Sequence, residues 1–156
     1  QMDRPEIQMI KDYGNLPLIE CYAGQLNQVF MNILANAIDA LEDSIQLGQL
    51  KERSPMISIK TAQIDSEWIT IQIADNGPGI RPDVEARLFE PFFTTKPASK
   101  GTGLGLSISY QIICEKHEGH LLCSSSEGKG TEFIIKLPII VPDNQDLRRT
   151  TISSSG

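Results

Sequence analysis

Four short clusters hold the side chains best suited to chemistry. The first, NILANAIDAL (residues 32–41), sets Asn32 and Asn36 four apart and Asp39 three further on. A helix turns about 100° per residue, so these polar groups fall on one side of it. Asparagine is a mediocre helix former because its amide competes for the backbone. Its oxygen can ligate a hard cation, and Mg²⁺ takes one or two such protein ligands beside water and phosphate oxygens. The same edge also reads as an ordinary solvated helix flank.

The second cluster is DNGPGI (residues 75–80). Asp75 follows an apolar strand, where its carboxylate can accept from an exocyclic amine such as that of adenine. Gly77 and Gly79 let the backbone turn sharply and let a flat ligand approach. A plain turn with proline at a favoured position is the competing reading. The third, GTGLGLSIS (residues 101–109), puts three alternate glycines before a helix. Successive backbone N–H groups leading into a helix N-terminus make an anion site. No Gly-Lys-Ser/Thr closes the loop and its spacing is not the dinucleotide fingerprint, so neither a Walker A nor a Rossmann motif is present. A merely flexible loop is the alternative. The fourth, FEPFFTTK (residues 89–96), joins aromatics at a loop base to Lys96, with Lys100 close behind. Such a loop can close as a lid whose lysines meet phosphate charge. A small satellite core explains the phenylalanines equally well.

Apolar periodicity predicts the elements that must position these clusters. Residues 18–22 read as a short strand. Leu26, Val29, Phe30, Ile33, Leu34, Ala37, Ile38 and Leu41 recur at steps of three and four, one buried helix face fading near Leu47 and Gly48. Residues 56–61 and 68–73 alternate apolar and polar, as half-buried strands do. Residues 82–88 and 106–116 predict two further helices. Residues 121–124 and 131–137 predict strands around a turn at 127–130. The expected fold class is α+β, a two-layer α/β sandwich in which a mixed sheet is packed on one face by about three helices. Residues 1–17 read as a linker ending a preceding segment, 18–138 as one domain, and 139–156 as a disordered tail.

The 156 residues are 40% hydrophobic and 22% charged, which fits a globular chain and argues against disorder. A formal net charge of −6 disfavours nucleic acid and anionic membrane as partners. No apolar run approaches the ~18 residues that span a bilayer, and the opening residues do not read as a signal peptide. Cys21, Cys114 and Cys123 lack C-x-x-C spacing and read as idle thiols in a reducing cytosol. His117 and His120 offer too few companion ligands for a metal site.

The order N-x-x-x-N-A, D-x-G-x-G, F-E-P-F-F-T-T-K and G-T-G-L-G-L resembles the N, G1, F and G2 boxes of sensor histidine kinases. GKGTEF (residues 128–133) resembles that family's final G-x-G-T-x-F. The resemblance runs over about 18–137, to the catalytic ATP-binding (HATPase_c, GHKL superfamily) domain of a two-component kinase with a Bergerat-type fold. It implies ATP and Mg²⁺ as cofactors. Asn36 would be the metal ligand, supported by Asn32 one turn earlier. Asp75 would bind the adenine amino group, with Gly77, Gly79 and Ile80 beside it and Thr131 near the base through a water. Phe93, Lys96 and Lys100 would belong to the lid, and Gly101, Thr102, Gly103, Leu104, Gly105 and Leu106 would close over the phosphates. Many relatives carry a basic residue three positions after the second asparagine. Here that position is Asp39, which throws weight onto Lys96, Lys100 and the backbone N–H groups and suits Asp39 to holding a metal-bound water.

The related gyrase and chaperone ATPases place a water-activating glutamate at position 32. Asn32 has no useful basicity, so hydrolysis should be slow, and transfer to a neutral histidine imidazole is the better match. Asn32, Asn36 and Lys100 are then the candidate catalytic residues. The phosphoacceptor histidine would lie on a dimerisation hairpin of the same parent protein, with a response regulator downstream. His117 and His120 fall where relatives often show H-G-G and read as structural. The expected picture is a monomeric, cytoplasmic domain excised from a parent that is free to be membrane-attached, with no nucleic acid or membrane partner of its own. The alternatives are a stand-alone ATPase of the same fold, a serine kinase, and a non-catalytic nucleotide-binding module.

Overall fold

The computed structural model describes residues 6–48, 54–93, 105–140 and 150–152. The first long helix, α1 (Ala23–Gln46), buries Leu26, Val29, Ile33, Ala37 and Leu41 along one stripe. Its interior is free of proline and rich in Ala, Leu and Gln, all good helix formers. Gly48 at φ 71° ends it, with its N–H on the Ile45 carbonyl. Ile38, read from the sequence as part of the buried face, is 39% exposed because it falls beside the stripe.

The strands are β1 (Gln8–Tyr13), β2 (Ile19–Cys21), β3 (Met56–Gln63), β4 (Trp68–Asp75), β5 (His120–Ser126), β6 (Gly130–Pro138) and β7 (Thr150–Ile152). The main sheet runs β1-β3-β4-β6-β5. β1 lies parallel to β3 and the other pairs are antiparallel, so the sheet is mixed as expected. Ile57, Ile69, Ile73, Leu121, Phe133, Ile135 and Leu137 join the α1 stripe in one core. Fully burying each such side chain contributes roughly 1.5–3 kcal/mol. Trp68, Lys136 and His120 lie on the opposite face, the Lys136 ammonium 4.8 Å from the Trp68 ring centre and the two rings 5.6 Å apart.

Two elements depart from the sequence reading. β1 falls within the stretch read as a linker, and all six of its residues are exposed. β7 falls within the stretch read as a disordered tail and pairs antiparallel with β2. Ladder hydrogen bonds position β1, and no side-chain alternation announces it.

A short α2 (Pro82–Glu85) follows the Asp75 loop, and α3 (Gly105–Tyr110) continues as a π-helical segment, Gln111–Lys116. His117 closes that segment from within the core. Its Nε2 accepts the Tyr22 N–H at 2.9 Å, so its Nδ1 carries the proton and donates to the Ile112 carbonyl at 2.8 Å. This histidine ties the start of α1 to the end of α3, the structural role expected of it. Glu118 then adopts φ 54°, and the Gly119 N–H reaches back six residues to the Ile113 carbonyl at 2.8 Å.

A left-handed conformation costs a side-chain-bearing residue about 1–2 kcal/mol, part of which glycine's extra unfolded-state freedom offsets. Glu118→Gly should therefore raise stability by up to about 1 kcal/mol in urea unfolding. A lowered midpoint would mean that Glu118 makes contacts worth more than this strain.

Candidate functional site

The cross-strand register builds the first half of the site. Asp75 ends β4 opposite Ile57 of β3 and Thr131 of β6, and Thr131 in turn lies opposite Ser125 of β5. These residues form one row on the core side of the sheet, next to the row of Ile73, Phe133 and Cys123. Asp75 Oδ1 accepts the Gly77 N–H at 2.8 Å, and the Thr131 backbone also donates to the carboxylate. Burial nevertheless raises the Asp75 pKa, since the two N–H groups offset only part of the desolvation. The Cys123 thiol is pushed up to about 12, first by burial and then by the Glu85 and Asp75 carboxylates, so it stays protonated.

The loop after Asp75 is clamped on two sides. Asn76 accepts the Met56 N–H at 2.8 Å through Oδ1 and donates to the Ser54 carbonyl at 2.8 Å through Nδ2. On the other side, the Pro78 carbonyl accepts the Gly128 N–H at 2.6 Å, and the Ile80 N–H donates to Ser125 Oγ at 2.7 Å. Gly79 stands at φ 81°, and a Cβ there would collide with the Ser126 carbonyl. Its glycine is required for contact with the β5–β6 hairpin.

The second half of the site is the polar edge of α1. Asn32, Asn36 and Asp39 are all half-buried along it. Asn32 Nδ2 donates to the Gly105 carbonyl at 3.1 Å and to Ser109 Oγ at 3.2 Å, while Ser109 Oγ donates to the same carbonyl at 2.8 Å. This triangle locks Gly105, the first residue of α3, to α1, and Leu106 packs against the core one residue later. The two halves share a wall, because a Cβ on Gly77 would lie 3.6 Å from Leu41 Cδ2 and 3.8 Å from Ala40 Cβ.

Just before the segment read from the sequence as a lid, Phe89 stacks with Tyr110 at 5.2 Å. Arg87 sits 4.4 Å over the Phe93 ring and 3.1 Å from the Glu90 carboxylate. Lys96, Lys100, Gly101, Thr102, Gly103 and Leu104 lie outside the described residues.

The structure thus brings Asp75, Gly77, Gly79, Ile80 and Thr131 together, and joins Asn32 to Gly105 on the helix that carries Asn36 and Asp39. Sequence reasoning missed Asn76, Ser109 and Ser125. Strand alternation through β5 was the one available signal, since it turns Ser125 to the same side as Leu121 and Cys123. The donor chemistry fits a nucleotide with its metal: a carboxylate acceptor at the strand end, and hard amide and carboxylate oxygens on α1.

Residues 22–140 match the family described as histidine kinase-, DNA gyrase B-, and HSP90-like ATPases, and the chain belongs to that family. Within it, the similarity is to sensor histidine kinases. The chain is 41% identical over 140 residues to sporulation kinase E of Bacillus subtilis, which covers 89% of this chain and 17% of that protein. It is 40% identical over 120 residues to the two-component sensor PprA of Pseudomonas aeruginosa, covering 77% of this chain and 12% of that protein. The chain therefore spans less than a fifth of either relative. The nucleotide-free catalytic domain of the histidine kinase ThkA superposes with a TM-score of 0.69 at 30% identity, over 86% of this chain and 81% of that one. Full-length ShkA in complex with AMPPNP superposes with a TM-score of 0.68 at 28% identity, over 85% of this chain and 25% of that one. The chain is a histidine-kinase catalytic domain with an ATP-binding fold.

The raised pKa of Asp75 has a signed consequence for stability. As pH rises from the unfolded-state value of 3.8, the unfolded chain releases this proton first, so the ionised carboxylate lowers stability once pH passes the folded-state value. Asp75→Asn keeps an oxygen to accept the Gly77 N–H and removes the charge. Its melting temperature should exceed the parent's at neutral pH, and the difference should vanish in acid. A lower melting temperature at neutral pH would show that the charge stabilises the loop.

Proposed function

We propose that this domain binds Mg-ATP between the Asp75 strand end and the polar edge of α1, and passes the γ-phosphoryl group to a histidine on a separate helical hairpin of its parent protein. The observation that carries the proposal is Asn32. Its amide nitrogen is committed to Gly105 and Ser109. An amide cannot take a proton from water near neutral pH, so this wall holds no general base at the position where hydrolases of the fold need one. Bound ATP would supply the transferable phosphoryl group. The chain's own residues would align it and compensate charge, which is what phosphoryl transfer chiefly requires.

In this reading Asp75 accepts from the adenine amino group, with Thr131 beside it. Asn36 gives Mg²⁺ an amide oxygen, and Asp39 holds one of the metal's waters. Helix α1 has no lysine or arginine, so charge compensation falls to the metal, to Lys96 and Lys100, and to the N–H groups of residues 101–105. The attacking group is a neutral imidazole from the hairpin. The phosphohistidine then serves a response regulator. Among the described residues no helix is long and apolar enough to cross a membrane, and the domain is proposed to work as a monomer in the cytoplasm.

Mixing this chain with the parent's hairpin and γ-labelled ATP should place acid-labile label on the hairpin histidine. No label would leave a nucleotide binder without transfer, and acid-stable label would indicate a serine kinase. In calorimetry, Asp75→Asn should weaken ATP binding at least about tenfold. Asn36→Ala should raise the Mg²⁺ concentration needed for tight binding by about tenfold or more. Parent-like affinity or metal dependence would remove the corresponding residue from the site.

A further inference from the structure

One hydroxyl joins the three segments around Asp75. Ser125 Oγ accepts the Ile80 N–H at 2.7 Å, lies 3.1 Å from the Gly130 carbonyl, and lies 3.0 Å from Thr131 Oγ1. A serine hydroxyl has one proton to give and two lone pairs to receive. The Ile80 N–H can only donate and the Gly130 carbonyl can only accept. If Ser125 gives its proton to Gly130, its second lone pair takes the Thr131 proton and every group is satisfied. The reverse assignment leaves two oxygens facing each other at 3.1 Å with no proton between them. The Thr131 proton therefore points at Ser125, and only lone pairs remain for a group lying beside Asp75.

From this proton count we infer that Ser125 is a specificity-positioning residue. By holding the Thr131 hydroxyl as an acceptor, it makes Asp75 and Thr131 a pair of acceptors that select a purine bearing a 6-amino group over one bearing a 6-oxo group. The inference builds on the adenine site proposed above. It holds for direct contact or through one water, since a water that donates to both Asp75 and Thr131 turns a lone pair outward and still receives the amine. A 6-oxo purine would meet two acceptors with a third, and a polar site rejects a ligand that leaves its groups unpaired.

The test compares Mg-ATP with Mg-inosine triphosphate, which carries a carbonyl in place of the 6-amino group, by calorimetry on the whole chain. Ser125→Ala frees the Thr131 hydroxyl to donate, and the ATP preference should fall about tenfold. Thr131→Val, which keeps the strand's shape, should lose a similar factor. Ser125→Ala in the Thr131→Val background should change the preference no further. Ser125→Thr, which keeps a hydroxyl, should retain the parent's preference. A structural role alone would weaken both nucleotides equally, and equal losses, or an unchanged ratio in Ser125→Ala, would overturn the inference. A parent that binds neither nucleotide would instead overturn the underlying site, and the inference with it.

Discussion

A partly buried carboxylate is the constraint around which this site is organised. Asp75 stands where β4 leaves the sheet, and burial disfavours its charge. Two backbone N–H groups, from Gly77 and Thr131, offset part of that cost, and both depend on exact chain placement. The Gly77 N–H is presented by a loop that Asn76 anchors to the start of β3 and that Gly79 seats against the β5–β6 hairpin. The Thr131 N–H is presented by the β4–β6 register. A charged acceptor shielded from water bonds strongly to a donor, because little solvent competes and the local dielectric is low. The arrangement gives up some stability, in exchange for the adenine recognition proposed for it.

Helix α1 carries the second constraint. Its apolar stripe fixes the helix on the sheet, and that fixes where its polar edge points. Asn32 then uses the edge to hold the first carbonyl of α3, with Ser109 completing the contact from one turn along. Ser109 is wholly buried, so its hydroxyl must find a partner inside the protein. The start of α3 is thereby referenced to the same helix that presents Asn36 and Asp39. Gly77 faces that helix near Ala40 and Leu41, so both ends of the proposed nucleotide would be measured from one rigid element.

The legible parts of the fold were those whose side chains alternate between core and solvent. The α1 stripe and strands β3 to β6 follow from periodicity because each buries one face. β1 buries none, so its sequence carries no alternation and only its ladder with β3 reveals it. The π-helical segment escaped because Ile108, Ile112 and Ile113 suit an α-helical face equally well, while the feature that closes it is the distant contact of His117 with Tyr22. In the site, the clustered polar and glycine residues were legible because their spacing is local. Ser125, Ser109 and Asn76 were not, because serine and asparagine are ordinary turn residues and these three act through neighbours 4 to 77 positions away.

The charges of α1 bear on which chemistry the site can favour. The helix carries Asp39, Glu42 and Asp43 and no cation, an unusual wall for the triphosphate proposed to lie along it. Repulsion from such a wall is relieved when the nucleotide arrives with a divalent cation and when cations come from elsewhere in the chain. The described arginines do not fill that gap, since Arg81 and Arg87 are each paired with a carboxylate. With no base at position 32 and no fixed cation on α1, the wall proposed to align the phosphoryl group would do little to activate water against it. Reactivity must then come from the incoming nucleophile. An imidazole is nucleophilic without prior deprotonation by the enzyme when it is neutral, whereas water is not. Under the proposed function, a site built this way would discriminate against hydrolysis by omission, and would leave the choice of phosphoryl acceptor to whatever partner can reach it.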